Sequence, residues 1–229
     1  DRGIQSVAAP AEPDLERTIA LRWLPLPVAD ESATWQVIGA KLNELLLDGG
    51  TAALICNTVR QAQAAFDALK QWFAPEEDEL TLFHARFRQL ERADIQKNVL
   101  DRFGKDVLDP ESGYTRPKRH VVVATQVIEQ SLDLDFDVLF TLFCPTDLLL
   151  QRAGRMQRHK QIDALRPERF RDHPEVWVTG FDSGSDQPTF LRGSTAIYSR
   201  YVLLRSWAAF RDLSEIHIPQ DVSNLIEAT

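Results

Sequence analysis

Gln151-Arg152-Ala153-Gly154-Arg155-Met156-Gln157-Arg158-His159 packs three arginines into one short stretch. A guanidinium is permanently charged and forks onto phosphate oxygens. On a helix, arginines at i, i+3 and i+6 share a face with their neighbours, and three like charges there repel unless an anion sits among them. The chemistry on offer is neutralisation of a phosphate group. Just upstream, the β-branched run His120–Ala124 gives way to Thr125, Gln126, Glu129, Gln130 and Ser131. Three acids follow, Asp133, Asp135 and Asp137, ahead of the apolar run Val138–Phe143. Polar groups at the carboxyl ends of parallel strands are where open α/β sheets bind ligands.

The elements needed to position these groups can be read along the chain. Thr18–Leu24 reads as a strand, stopped by Pro25 and Pro27. Glu31–Leu47 has helical spacing of Trp35, Ile38, Leu42, Leu45 and Leu46, closed by Asp48-Gly49-Gly50. Thr51–Cys56 reads as a strand and Val59–Phe73 as a helix, for which Asn57 or Thr58 is a natural N-cap. A helix N-terminus there also suits a nucleic-acid phosphate. Leu80–His84 is a strand, Gln89–Phe103 a helix and Lys105–Arg119 a polar loop. After His159 come a basic loop at 161–174, a strand at Glu175–Gly180, a turn-rich excursion, and helices expected at Ser194–Phe210 and Asp221–Ala228. The alternation of strands and helices predicts an α/β fold: an open parallel sheet with helices on both faces, followed by a mostly helical C-terminal extension.

ATQVIEQSLDLDFD followed by QRAGRMQRH resembles motifs V and VI of superfamily 2 helicases. The wording is most similar to the CRISPR-associated helicase-nuclease of type I interference systems. The resemblance is recognisable from about Thr51 to His159, and it implies the second RecA-like lobe of that enzyme. It implies arginine fingers at Arg155 and Arg158. Gln151, with Asp133 near the ribose, would lie on the nucleotide side. A nucleic-acid track is implied along Asn57, Thr58, His84, Arg86, Thr125 and Gln130, with Asn57 and Thr58 in motif IV and LFHARFRQLER similar to motif IVa. Asp135 and Asp137 flank the same strand, so either could replace Asp133 at the ribose. Glu129 has no nameable partner. The cofactors implied are ATP and Mg2+, held mainly by a first RecA-like domain. Single-stranded DNA, an HD nuclease domain and an RNA-guided surveillance complex are the implied partners, in the cytoplasm. The expected division is a linker at 1–17, the second RecA-like domain at 18–180 and, at 181–229, an extension leading to an accessory domain. A lobe of another superfamily 2 translocase and a non-catalytic binding module are the rival readings.

Composition sets bounds on these readings. At 229 residues, 44% hydrophobic and 26% charged, the chain can build one good core. A net charge of −8 argues against a wholly basic nucleic-acid surface, yet residues 151–173 carry seven Lys/Arg against three Asp/Glu. No Gly-x-x-x-x-Gly-Lys-Ser/Thr loop occurs, so unaided ATP hydrolysis is not expected. The five histidines are scattered without ligand spacing, which gives no metal site and no HD nuclease. Cys56 and Cys144 suit small buried apolar roles. No apolar run is long enough to span a bilayer. The opening DRGIQSVAAPAEPDLE, without Met, reads as a segment of a longer protein.

Overall fold

The computed structural model describes residues 16–74, 78–129, 133–184 and 187–229. Gln130, Ser131, most of the expected linker and most of the turn at Pro75–Asp78 lie outside these ranges. The elements run β1 (Arg17–Trp23), α1 (Glu31–Leu45), β2 (Gly50–Ile55), α2 (Val59–Leu69), β3 (Leu80–Phe83), α3 (Gln89–Phe103), β4 (Arg119–Ala124) and β5 (Val138–Leu142). They continue as α4 (Thr146–Ala153), β6 (Glu175–Thr179), β7 (Phe181–Asp182), β8 (Thr189–Phe190), α5 (Arg192–Ile197), α6 (Arg200–Phe210), β9 (Glu215–Ile218) and α7 (Val222–Glu227).

Seven strands form one sheet in the order β3-β4-β2-β5-β6-β1-β9. Every pairing is parallel except the antiparallel β1–β9 ladder. The apolar runs are continuous because these strands are covered on both sides. On β2, Ala53 and Ile55 face a cluster with Val99 and Phe103 of α3, Leu149 of α4 and Leu203 of α6. Ala52 and Leu54 face the opposite cluster, with Trp35, Ile38 and Leu42 of α1 and Leu69 of α2. Helices therefore cover both faces, as expected.

Several element bounds differ from the sequence expectation, α1 among them, which ends at Leu45 and not at Leu47. The helix predicted to run to Phe73 stops at Leu69, where the amides of Trp72 and Phe73 fold back onto the Leu69 carbonyl. The single helix expected at Ser194–Phe210 is two, broken at extended Tyr198. The segment 181–229 also shares the core of the sheet: Phe181, Phe190, Leu203, Phe210 and Ile216 pack into the same cluster as α3 and α4. Strand β9 extends the sheet beyond β1, with Ile19 opposite Ile216.

Gly50 shows how tightly the amino edge is built. It opens β2 at φ +113°, a region that L side chains avoid, and a Cβ there would stand 2.7 Å from the Phe170 ring.

Candidate nucleotide and nucleic-acid site

The described residues on the two sides of 130–132 stand at opposite ends of the sheet, Gln126–Glu129 beyond the carboxyl end of β4 and Asp133–Asp137 before the amino end of β5. Helix α4 is capped by Gly154, whose amide donates to Leu150 O. The amide of Gln157 then donates to Phe136 O. Arg155 and Arg158 thus stand on the turn after the helix, not on one helical face with Arg152, and they lie beside the start of β5. That corrects the shared-face expectation: Gly154 stops the helix between them.

The three arginines have different surroundings. Arg152 is fully buried. Its Nε donates to Glu129 Oε1 at 2.7 Å, and its Nη1 to Asn57 Oδ1 at 3.0 Å, Thr141 Oγ1 at 2.8 Å and Leu142 O at 3.2 Å. Glu129 therefore has a partner, and Arg152 is an internal connector. Arg155 is half-buried and donates through Nη2 to Glu129 O at 2.6 Å. Burial and then the neighbouring Arg158 charge lower its pKa. Arg158 is exposed, with Nε 3.1 Å from Asp133 Oδ1. His159 Nε2 is also 3.1 Å from that oxygen. Both approaches are close in distance but lie off hydrogen-bond alignment.

The three acids differ in burial. Asp135 and Asp137 are enclosed, at 0% and 1% exposure, and are held by Arg116 and Arg166. Arg166 Nη1 lies 2.7 Å from Asp135 Oδ1 and 2.6 Å from Asp137 Oδ1. Arg116 Nη2 donates to Asp137 Oδ1 at 2.9 Å and to Thr51 Oγ1 at 2.7 Å. The Thr51 amide and the His159 amide complete the set, donating to Asp137 Oδ2 and Asp135 Oδ2. Two carboxylates and two guanidiniums balance in charge, and burial is tolerable because each is paired and hydrogen-bonded. Asp133 is left as the half-exposed acid of the three. It borders a cleft of about 370 Å³ lined also by Lys97, Leu100, Gly104 and Lys105. Gln151 is exposed on the last turn of α4.

The residues expected along a nucleic-acid track gather at three adjacent strand ends, β3, β4 and β2. Their side chains are not equally available. Asn57 is fully buried and spans Phe143 O, Ser194 Oγ and Arg152, so it acts as a connector and not as a surface contact. Thr58 is the N-cap of α2, in a capping box with Gln61. His84 is buried and stacks on Phe87 at 4.3 Å, and burial and then Arg86 lower its pKa. Thr125 is buried too. Arg86 is exposed at this edge, as is Arg60 on the first turn of α2. Arg60 went unnoticed in the sequence, although a cation in the first turn after an N-cap was its available signal. Gln130 lies outside the described residues.

Among the described residues no group of three or more His, Cys, Asp or Glu could hold a metal ion. Burial pushes the Cys56 thiol up to about 12 and that of Cys144 up to about 11, so neither is a nucleophile near neutrality. No described helix is long and apolar enough to cross a membrane.

Known proteins are similar to this chain in sequence and fold. A curated CRISPR-associated nuclease/helicase Cas3 of Streptococcus thermophilus is 34% identical over 81% of this chain, which spans 18% of that relative's length. A solved structure of a CRISPR-associated protein is 43% identical with a TM-score of 0.85, covering 97% of this chain and 23% of its own. The T. fusca Cas3–ATP crystal structure is 36% identical, with a TM-score of 0.79 over 97% of this chain and 24% of its own. A chain of a CRISPR RNA-guided surveillance complex in a pre-nicking state is 36% identical, with a TM-score of 0.77 over 93% of this chain and 25% of its own. The sheet is thus that of a RecA-like Cas3 lobe. Residues 48–161 match the family described as CRISPR-associated nuclease/helicase Cas3, C-terminal, and the chain belongs through them to that family.

Proposed function

We propose that this chain is the second RecA-like lobe of an ATP-driven, single-stranded DNA translocase acting in type I CRISPR interference. The observation that carries the reading is what stands at the two described ends of the segment after β4. At one end it adjoins the strand termini that bear Thr58 and Arg86. At the other it presents Asp133 beside Arg155 and Arg158.

Arg155 and Arg158 suit an anion: both are cations with solvent access, and Asp133 is an acceptor on the rim of a cleft large enough for a sugar. ATP, bound with Mg2+ mostly by a first lobe, supplies the phosphoryl group whose transfer releases energy. Here Arg155 and Arg158 place positive charge against the triphosphate, and Asp133 accepts from ribose hydroxyls. Arginine fingers can contribute about three to five orders of magnitude in rate. Glu129 binds Arg152 through its side chain and Arg155 through its carbonyl, so a shift at one end of the segment moves the other. Closure and opening of the cleft against a first lobe then ratchets DNA along Thr58, Arg60 and Arg86. The surveillance complex and an HD nuclease domain are the partners this reading assigns.

The test uses a polypeptide carrying both lobes. DNA-stimulated ATP hydrolysis should fall by at least about 10³-fold in Arg155→Ala and in Arg158→Ala. The chain alone should hydrolyse nothing. Retention of full hydrolysis by both variants would exclude the finger assignment.

A further inference from the structure

The turn that carries Arg155 and Arg158 is tied down from outside the motif. The Gln157 backbone sits at φ +43°, a left-handed conformation that a non-glycine residue adopts only under constraint. Its side chain is pinned through Nε2 to Phe170 O at 2.6 Å and Asp137 O at 3.2 Å. The His159 amide is held by Asp135 Oδ2 at 2.8 Å. Arg17, the first residue of β1, reaches across roughly 140 residues of sequence to the same turn. Its Nη1 donates to Met156 O at 3.0 Å and, more weakly, to Gln157 O at 3.4 Å, while Nη2 lies 3.5 Å from Gly154 O.

The Gly154 carbonyl, at the C-cap of α4, lies at the negative end of that helix's backbone dipoles, and those of Met156 and Gln157 belong to the turn beyond it. A cation there offsets that charge. Arg17 and Arg158 also line one cleft of about 250 Å³ together with Gln157 and Lys160. Arg17 therefore constrains Arg158 in two ways, by fixing the backbone that carries it and by repelling its charge within the cleft. Arg17 is half-buried, so it can be replaced without emptying the core.

We infer that Arg17 is a positioning residue for the two fingers, clamping their turn to the strand by which the chain enters the sheet. The inference rests on the finger reading above. Misplacing a catalytic group by about 1 Å can cost about 10²-fold in rate, and loss of the clamp is expected to act on that scale.

In a polypeptide carrying both lobes, Arg17→Ala should lower kcat for DNA-stimulated ATP hydrolysis about 10²-fold, with KM for ATP and affinity for single-stranded DNA little changed. Affinity for ADP–aluminium fluoride should fall in step with kcat, while affinity for ADP alone stays put. Arg17→Lys, which keeps the charge but loses the fork, should recover part of the rate. In the isolated chain, amide exchange at 154–159 should quicken in Arg17→Ala while exchange in β2 and β4 does not. Arg155→Ala serves as the control. If it is inactive while Arg17→Ala retains full kcat and full ADP–aluminium fluoride affinity, the clamp is refuted and the fingers stand. If Arg155→Ala is itself fully active, the finger reading fails first. A loss in Arg17→Ala spread equally over ADP affinity and exchange in β2 and β4 would also overturn the clamp, since it would mark general destabilisation.

Discussion

Replacing Arg152 by alanine tests the central connector of this lobe. The side chain is wholly enclosed, and it neutralises Glu129, whose side chain is only 5% exposed. Removing one member of a buried ion pair costs about 3–5 kcal/mol, because the other charge is left without compensation. Asn57 Oδ1 and Thr141 Oγ1 also lose a donor, at about 1–3 kcal/mol for a buried polar atom left unmet. The expected loss is about 4–8 kcal/mol, a large part of the roughly 5–15 kcal/mol that holds a domain folded. Urea unfolding followed by tryptophan fluorescence reads it directly, and at an m-value of about 2–3 kcal/mol/M the midpoint should fall by about 2 M. The double variant Arg152→Met with Glu129→Met removes both charges together, so it should be less costly than the sum of its single changes by more than about 1 kcal/mol. A loss below about 1 kcal/mol in Arg152→Ala, or strict additivity in the cycle, would refute the description of Arg152 as a buried connector.

Two further outcomes follow from the packing. His120 is enclosed, its Nδ1 2.6 Å from Asp78 O, and burial with the nearby Arg102 charge holds its pKa down to about 4. The unfolded chain takes up this proton at about pH 6.5 and the folded chain only near pH 4. Stability is therefore complete above about pH 6.5 and falls as pH drops toward 4, by up to about 3 kcal/mol. His120→Gln should flatten that slope in denaturation series across the window, and parallel curves for both proteins would refute the assignment. Gly50→Ala should cost about 1–3 kcal/mol, because the left-handed backbone and the Phe170 ring both oppose a Cβ. A variant with an unchanged unfolding midpoint would contradict it.

The sheet was legible because its strands are uninterrupted apolar runs separated by helical periods. His120–Ala124 and Val138–Phe143 could be little else, and α3 keeps its expected bounds. The three arginines were legible as a spacing, but their differing surroundings were not. Spacing assumes a helix that continues, and Gly154 ends it between Arg152 and Arg155. The partners of Asp135 and Asp137 were hidden for a different reason. Arg116 lies in a loop without periodicity, Arg166 lies past the motif, and a contact between two loops leaves no local pattern. β9 was missed as a sheet member because four residues of extended chain near the end carry no signal of which ladder they join.

Both borders of the sheet are short. β3 and β9 have four residues each, and β9 turns outward the charged or polar side chains of Glu215 and His217 before Pro219 removes a donor. Unpaired ladders are templates for self-association, and brevity, charge and proline are what suppress it. An otherwise long β1 border would have offered such a template to any neighbouring copy. By laying a short, charged strand along Arg17–Ala20, the returning chain leaves less ladder on which another copy could pair.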